Sequence, residues 1–381
     1  MFRRGIVTRS RSQWALAVVT AAAAVAIAAG LWRLHSATTG VAITQEHAGT
    51  IPVTIFAPRA AGPAPVVVIA HGFAGSQQLM QPFAVTLARN GYLALTFDFP
   101  GHGRNAALLP GGLADYAARP GALLGALDSV VALARGLPAA DAHLALVGHS
   151  MASDVVVRYA QMHPEVEATV AVSLFLSREV TATSPRNLLV IDGALESAML
   201  REEGQRIVAM VAGGNARPGV TYGSFADGSA RRLALAGGVE HIGVLYSRDS
   251  LAEALAWMNQ VFGRQGPGFL DARGPWLGLL YLGLVALGWP LARLLPQVAP
   301  VPLGRGYGWR RLVPVAFAPA LLTPLILWQF PGAFLPILLG DYLALHFALY
   351  GLLTAAGMWL VGRRRVPAMP TARVSRQALA V

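Results

Sequence analysis

The chain has no cysteine and no lysine. The first absence excludes disulfides, thiolate metal sites and a cysteine nucleophile. The second makes arginine every one of the 30 basic residues. Beside abundant alanine and glycine, this reads as the codon usage of a GC-rich genome and carries little functional weight. Acidic residues are also scarce, 19 in 381, which leaves a formal net charge of +11. The excess is uneven: residues 36–265 hold 15 arginines against 17 acidic side chains, and the rest of the chain holds 15 against two. The basic balance therefore needs no nucleic-acid surface to explain it, and no nucleic-acid partner is expected.

Apolar residues are plentiful. A hydrophobic fraction of 55% and a positive mean hydropathy exceed what a soluble domain alone has. Four apolar stretches account for it: residues 14–32, 275–295, 312–330 and roughly 335–361. Arg3, Arg4, Arg9 and Arg11 precede the first. Arg293, Arg305, Arg310 and Arg311 fall at or between the ends of the second and third, and Arg363, Arg364, Arg365, Arg373 and Arg376 follow the last. Such clusters stay on the cytoplasmic side. Four crossings with both termini in the cytoplasm then put the intervening domain outside it, as expected for an integral protein of a bacterial inner (plasma) membrane.

Three parts follow: residues 1–35, a tail and signal-anchor helix; residues 36–265, the extracytoplasmic domain; and residues 266–381, about three transmembrane helices with a basic tail. Two points stay open. The first stretch reads as an uncleaved anchor, since it is longer than a usual signal-peptide core, with cleavage near Ser36-Ala37 as the alternative. The last stretch contains Pro336, Gly340, Asp341 and His346. Either it holds an ionisable pair inside the membrane, a functional candidate, or residues 330–341 form an outer loop with Asp341 at the interface, which is the preferred reading.

Within the central part, residues 144–153 (LALVGHSMAS) are the most informative. An apolar run breaks at Gly148-His149-Ser150-Met151-Ala152, which sets a serine where a strand turns sharply into a helix. Small residues two positions either side let the backbone bend so closely and lift the hydroxyl out of the sheet edge. Here the second is alanine, and by itself the pattern also describes an ordinary strand-to-helix turn. The context is more specific. Residues 65–75 (PVVVIAHGFAG) begin as a β-branched run of the kind buried on both faces. Residues 92–97 (YLALTF) form a second run, followed by DFPGHGRN. Between them, residues 81–90 have helical spacing and stop at Asn90-Gly91. A helix over 123–137, a strand at 144, a helix over 152–163 and a strand over 168–175 continue the alternation. It predicts an α/β fold with a mostly parallel sheet and helices on both faces.

Over residues 42–263 the chain resembles the α/β-hydrolase family. HGFAGS matches the family's oxyanion segment, DFPGHGRN its DxxGxGxS region with Asn105 in the final place, and GHSMA its nucleophile elbow. The resemblance implies that an acid and a histidine follow the serine, in that order. Residues 187–191 (NLLVI) read as a buried strand, followed by Asp192-Gly193-Ala194-Leu195-Glu196. Glu196 fits the family's GxxD turn with glutamate for aspartate and is the first choice of acid. Asp192 is the competitor, although a strand-end aspartate is as often a cap or turn former. Residues 232–240 lead to His241, in the loop before a helix over 250–262, where the family carries its base.

His71 and His102 sit beside glycines, and the resemblance gives them structural work. His149 lies inside the elbow and reaches Ser150 poorly, while His35, His47, His143 and His163 read as surface or turn residues. The resemblance thus implies that Ser150 is the nucleophile, His241 the base and Glu196 the carboxylate that orients it, with the main-chain amides of Phe73 and Met151 as oxyanion donors.

No metal or organic cofactor is called for. About ten residues separate the strand ending near 176 from the one beginning at 187, so no lid domain is inserted there. Residues 105–120 and 197–228 are the candidates for cover. The function expected is a membrane-anchored serine hydrolase acting on a small-molecule or lipid ester through an acyl-enzyme. The alternatives are an acyltransferase or peptidase on the same triad, and a catalytically silent membrane scaffold or sensor. The oligomeric state is not legible in the sequence.

Overall fold

Seven consecutive residues, Ala64–Ala70 (APVVVIA), carry no polar side chain, and all seven are buried in the computed structural model. A strand hidden on both faces needs helices above and below it. The structure describes residues 11–59, 62–111, 118–175, 180–295, 308–330, 334, 335 and 337–363. Arg3, Arg4, Arg9, Arg305, Arg364, Arg365, Arg373, Arg376, Pro336 and residues 112–117 of one expected cover segment lie outside them. The chain divides into two units, Ala28–Leu280, and Met1–Ile27 with Tyr281–Val381.

The strands of the first unit are β1 (Val41–Ala48), β2 (Ile51–Pro58), β3 (Ala64–Ala70), β4 (Leu93–Phe97), β5 (Ala140–His149), β6 (Val166–Val172), β7 (Leu188–Gly193), β8 (Thr221–Tyr222) and β9 (Arg231–Ala236). They form one sheet in the order β1-β2-β4-β3-β5-β6-β7-β9-β8. The run from β4 to β9 is parallel throughout, and antiparallel strands close both edges. Ala70 is in register with Gly148, His149 with Val172, and Gly193 with Ala236. The loops that leave β3, β5, β7 and β9 therefore emerge at one end of the sheet.

The helices α2 (Gln81–Arg89), α3 (Arg119–Arg135), α4 (Met151–Met162), α5 (Ala198–Ala212) and α6 (Arg248–Phe262) cover the sheet. Phe83, Leu87, Leu251, Leu255 and Met258 from α2 and α6 bury against Val67, Ile69, Val147 and Val170. Val157 of α4 and Ile207 and Val208 of α5 bury against the opposite side chains, Ala171, Val190 and Leu233. Alternation along each strand thus supplies two apolar faces.

Some boundaries differ from the sequence reading for local reasons. Helix α3 begins at Arg119, four residues before the expected start, because Pro120 is tolerated in a first helical turn. Helix α6 begins at Arg248, after Ser247 accepts the Asp249 N–H at 3.2 Å. The strand expected over 168–175 stops at Val172, before Ser173 turns to a positive φ of 55°. The β1–β2 hairpin has no counterpart in the sequence reading. The middle of β1 is exposed, so it lacks the apolar signal of a buried strand.

Four helices are long and apolar enough to cross a membrane: Ser12–Ala37, Gly274–Ala292, Trp309–Leu327 and Gly340–Arg363. The first lies within α1 (Arg11–Ala37), and the others are α7, α8 and α9. Small residues allow close helix packing in the second unit. A Cβ on Gly283 would lie 2.9 Å from Ile27, and one on Gly357 3.2 Å from Val315. Helix α9 starts at Gly340, five residues after the expected start, and Asp341 accepts the main-chain N–H groups of Phe334 and Leu335 at 2.8 and 2.7 Å. The carboxylate therefore caps an irregular stretch ahead of the helix.

Candidate active site

Strand β5 ends at His149 and helix α4 starts at Met151, which leaves Ser150 alone to make the turn, at φ 53° and ψ −119°. A non-glycine residue held there stores about 1–3 kcal/mol of strain, which the surroundings must offset. The Ser150 N–H donates to Val172 O at 2.8 Å, and Ser150 O accepts from the Ser153 N–H at 2.8 Å and its hydroxyl at 2.6 Å. The small residues have distinct reasons. A Cβ on Gly148 would overlap the carbonyl oxygen of Ala152 and lie 2.7 Å from Val156. It is the main chain of residue 152 that approaches, so alanine is tolerated there. Gly148→Ala should cost about 1–3 kcal/mol by overpacking, the opposite sign to a harmless glycine-to-alanine change. Chemical denaturation of the full chain in detergent measures it, and unchanged stability would show that the elbow has room to give.

His241 follows β9 on a loop. Its Nε2 lies 2.9 Å from Ser150 Oγ and its Nδ1 lies 2.5 Å from Glu196 Oε1. The other carboxylate oxygen of Glu196 accepts the Gly193 N–H at 2.6 Å, and the Glu196 N–H returns to Gly193 O at 3.0 Å. The tight 193–196 turn therefore aims this carboxylate at the imidazole. Asp192 is fully buried at the end of β7 and accepts the Leu174 N–H at 3.2 Å. Of the two candidate acids, Glu196 is the one hydrogen-bonded to His241.

The electrostatics follow from this arrangement. Burial raises the Glu196 carboxyl, but hydrogen bonds from His241 and the Gly193 N–H outweigh it and hold the group below its ordinary range. The hydrogen bond to Glu196 raises His241 above its ordinary value, against partial burial. Burial pushes Asp192 up to about 7. An imidazole must be neutral to accept a proton from Ser150. kcat/KM should therefore rise with pH along a limb above histidine's usual value of about 6.5 and be lost as pH falls through it. A pH–rate profile with its limb below that value would contradict the pairing.

Two further histidines support the loops. His149 Nε2 donates to the main-chain oxygen of His241 at 2.9 Å, and burial lowers it to about 4. It is a neutral strut under His241, a role its position in the elbow did not disclose. His71 Nδ1 donates to Gly72 O at 2.8 Å, while its Nε2 accepts the Phe99 N–H at 3.1 Å. Burial lowers it to about 4 as well, so it stays neutral and ties the HGFAG loop to the DFPGHG loop. Asp98 organises the second loop, accepting from Gln77 N and Nε2 at 2.8 Å each and from Arg104 N at 3.1 Å.

Among the described residues, neither the Phe73 nor the Met151 main-chain N–H donates to a protein acceptor. Phe73 lines the same pocket as Ser150, and Met151 follows Ser150 and opens α4, where the helix dipole favours negative charge. A pocket of about 440 Å³ beside Ser150 is lined by Phe73, Leu123, Leu124, Val155 and Phe175, with Arg119, Asp154 and Arg158. Arg158 pairs with Asp154 at 2.7 Å. Arg119 and Pro120 come from one expected cover segment, while residues 197–228 contribute nothing to the lining. Among the described residues, no group of three or more His, Asp or Glu side chains could hold a metal ion.

The sheet order and the strained serine between β5 and α4 define the α/β-hydrolase fold. The family described as serine aminopeptidase, S33, matches residues 61–194, under half of the chain. The match contains Ser150 and ends before Glu196 and His241. No curated protein matches the chain. Among solved structures, a predicted CIB-like hydrolase from Thermoplasma acidophilum is 15% identical over 57% of this chain and 97% of its own, with a TM-score of 0.43. The Est1E protein of Butyrivibrio proteoclasticus, solved with ferulic acid bound, is 14% identical over 58% of this chain and 100% of its own, with a TM-score of 0.43.

Proposed function

We propose that this chain is a membrane-anchored serine hydrolase that cleaves carboxylic esters through an acyl-enzyme. The observation that carries the reading is the continuous hydrogen-bonded chain from Ser150 Oγ through His241 to Glu196. His241 takes the hydroxyl proton as Ser150 attacks the ester carbonyl, and the amides of Phe73 and Met151 face the oxyanion. His241 then returns the proton to the leaving alcohol, and water repeats the sequence on the acyl-serine. Glu196 holds the imidazole in the tautomer that keeps Nε2 free to accept.

The domain of residues 36–265 carries this chemistry, and the four apolar helices hold it to the membrane. Arg293, Arg310, Arg311 and Arg363 flank the spans on the sides that the positive-inside rule assigns to the cytoplasm, which leaves the hydrolase domain outside. The apolar pocket beside Ser150 and the tether favour an amphiphilic or lipid ester. The family match motivates a second reading, hydrolysis of amides by the same residues.

A series of p-nitrophenyl esters, assayed in membranes beside amino-acid p-nitroanilides, tests these readings. Activity should extend from butyrate to octanoate, with the anilides slower by at least tenfold. A sharp loss beyond acetate would contradict a lipid substrate, and faster anilides would favour the peptidase.

A further inference from the structure

The end of α1 and the start of α7 pack closely: a Cβ on Gly30 would lie 2.9 Å from Leu280 Cβ and 3.1 Å from Trp276 O. Beside this contact is a cavity of about 400 Å³, bounded by Arg33, Arg89, Arg248 and Arg273 together with Trp276 and Phe269. Asp271 is the one carboxylate among its lining residues, and it is buried and bonded to Arg273 through Nε at 2.7 Å and through Nη2. Arg89 Nη1 donates to the carbonyl oxygens of Ser36 and Ala37 at 3.4 and 3.2 Å, and its guanidinium stacks 4.2 Å from the Phe269 ring centre. Arg33 lies 5.1 Å from the ring centre of Trp276. Among the described residues, no carboxylate pairs with Arg33, Arg89 or Arg248.

Four arginines therefore line one cavity whose single carboxylate is already engaged. Repulsion among their charges would be relieved by an anion, and guanidinium groups match phosphate oxygens in pairs. The location adds a second argument. Arginine is disfavoured on the extracytoplasmic flank of a span, so the charge bias that orients the chain does not account for a cluster there. Trp32 and Trp276 belong to the same helix ends, where tryptophan marks the headgroup layer.

We propose that this cavity binds a phosphate group, supplied by the headgroup of an anionic phospholipid or by a soluble phosphate. The lipid source rests on the reading of Ser12–Ala37 and Gly274–Ala292 as spans, and phosphate binding itself does not. Full-length protein in detergent would be titrated with dihexanoyl phosphatidylglycerol and, separately, with inorganic phosphate, each followed by native mass spectrometry. Both should be compared with Arg33→Gln/Arg248→Gln, which changes two exposed side chains, and with Arg217→Gln, an exposed arginine outside the cavity.

The double variant should weaken binding about tenfold or more, because charge-assisted hydrogen bonds are lost, while Arg217→Gln should match wild type. Binding of the lipid alone assigns the site to a membrane headgroup, and comparable binding of inorganic phosphate assigns it to a soluble anion. No binding of either, or equal binding to wild type and double variant, would overturn the proposal. Carbonate extraction and fluorophosphonate labelling of the same samples keep it separable: release by carbonate counts against the spans, and absent labelling counts against the hydrolase.

Discussion

Ser150→Ala should lower kcat/KM for p-nitrophenyl butyrate by about 10⁶-fold, and His241→Ala by a comparable factor. The two losses should not add. With Nε2 2.9 Å from Oγ, the imidazole in the proposed mechanism takes the serine proton and passes it on, so removing either group should remove the same step. What remains after either change should be binding and the proposed oxyanion donors, a residual catalysis of about 10³–10⁴-fold over water. Folding should be nearly unaffected by Ser150→Ala, because the main-chain bonds that hold the elbow, Ser150 N–H to Val172 O and Ser153 N–H to Ser150 O, do not use the side chain. Steady-state kinetics on the single and double variants provide the check. A loss below tenfold in Ser150→Ala, or multiplicative losses in the double variant, would contradict a shared role.

Glu196→Gln should cost roughly 10²–10⁴-fold, although the side chain keeps its size. The reason lies in the two neighbours of the carboxylate. Gly193 N–H requires an acceptor, which orients the glutamine oxygen toward it and the amide nitrogen toward His241. Nδ1 must then accept, so the ring proton moves to Nε2, where it can no longer take the Ser150 proton. The same variant removes the hydrogen bond that raises His241, so the acid limb of the pH profile should move down toward the ordinary value. Asp192→Asn should cost less than tenfold, because an asparagine oxygen still accepts the Leu174 N–H and Asp192 has no hydrogen bond to the imidazole. Parallel pH–rate profiles of the two variants decide between the carboxylates. A larger loss in Asp192→Asn would transfer the role to that residue.

The alternation of strands and helices was legible because the central strands are buried on both faces and so read as unbroken apolar runs. The elbow was legible because close approach of the chain at Gly148 admits only a small residue. Glu196 and Asp192 could not be ranked firmly, since both lie within one turn of the end of β7 and their directions depend on how residues 193–196 fold back. The His149 strut was invisible because its partner is a main-chain oxygen 92 positions away. The β1–β2 hairpin was missed for want of a buried face in β1. The arginine cavity was missed because residues 33, 89, 248 and 273 meet only through the packing of helix ends.

A serine nucleophile at position 150 is tested most directly by labelling the full-length protein with a fluorophosphonate probe and mapping the adduct by mass spectrometry. Wild type should carry one adduct, on Ser150, and Ser150→Ala should carry none. A wild type that fails to label, or a Ser150→Ala protein that labels equally well, would contradict it.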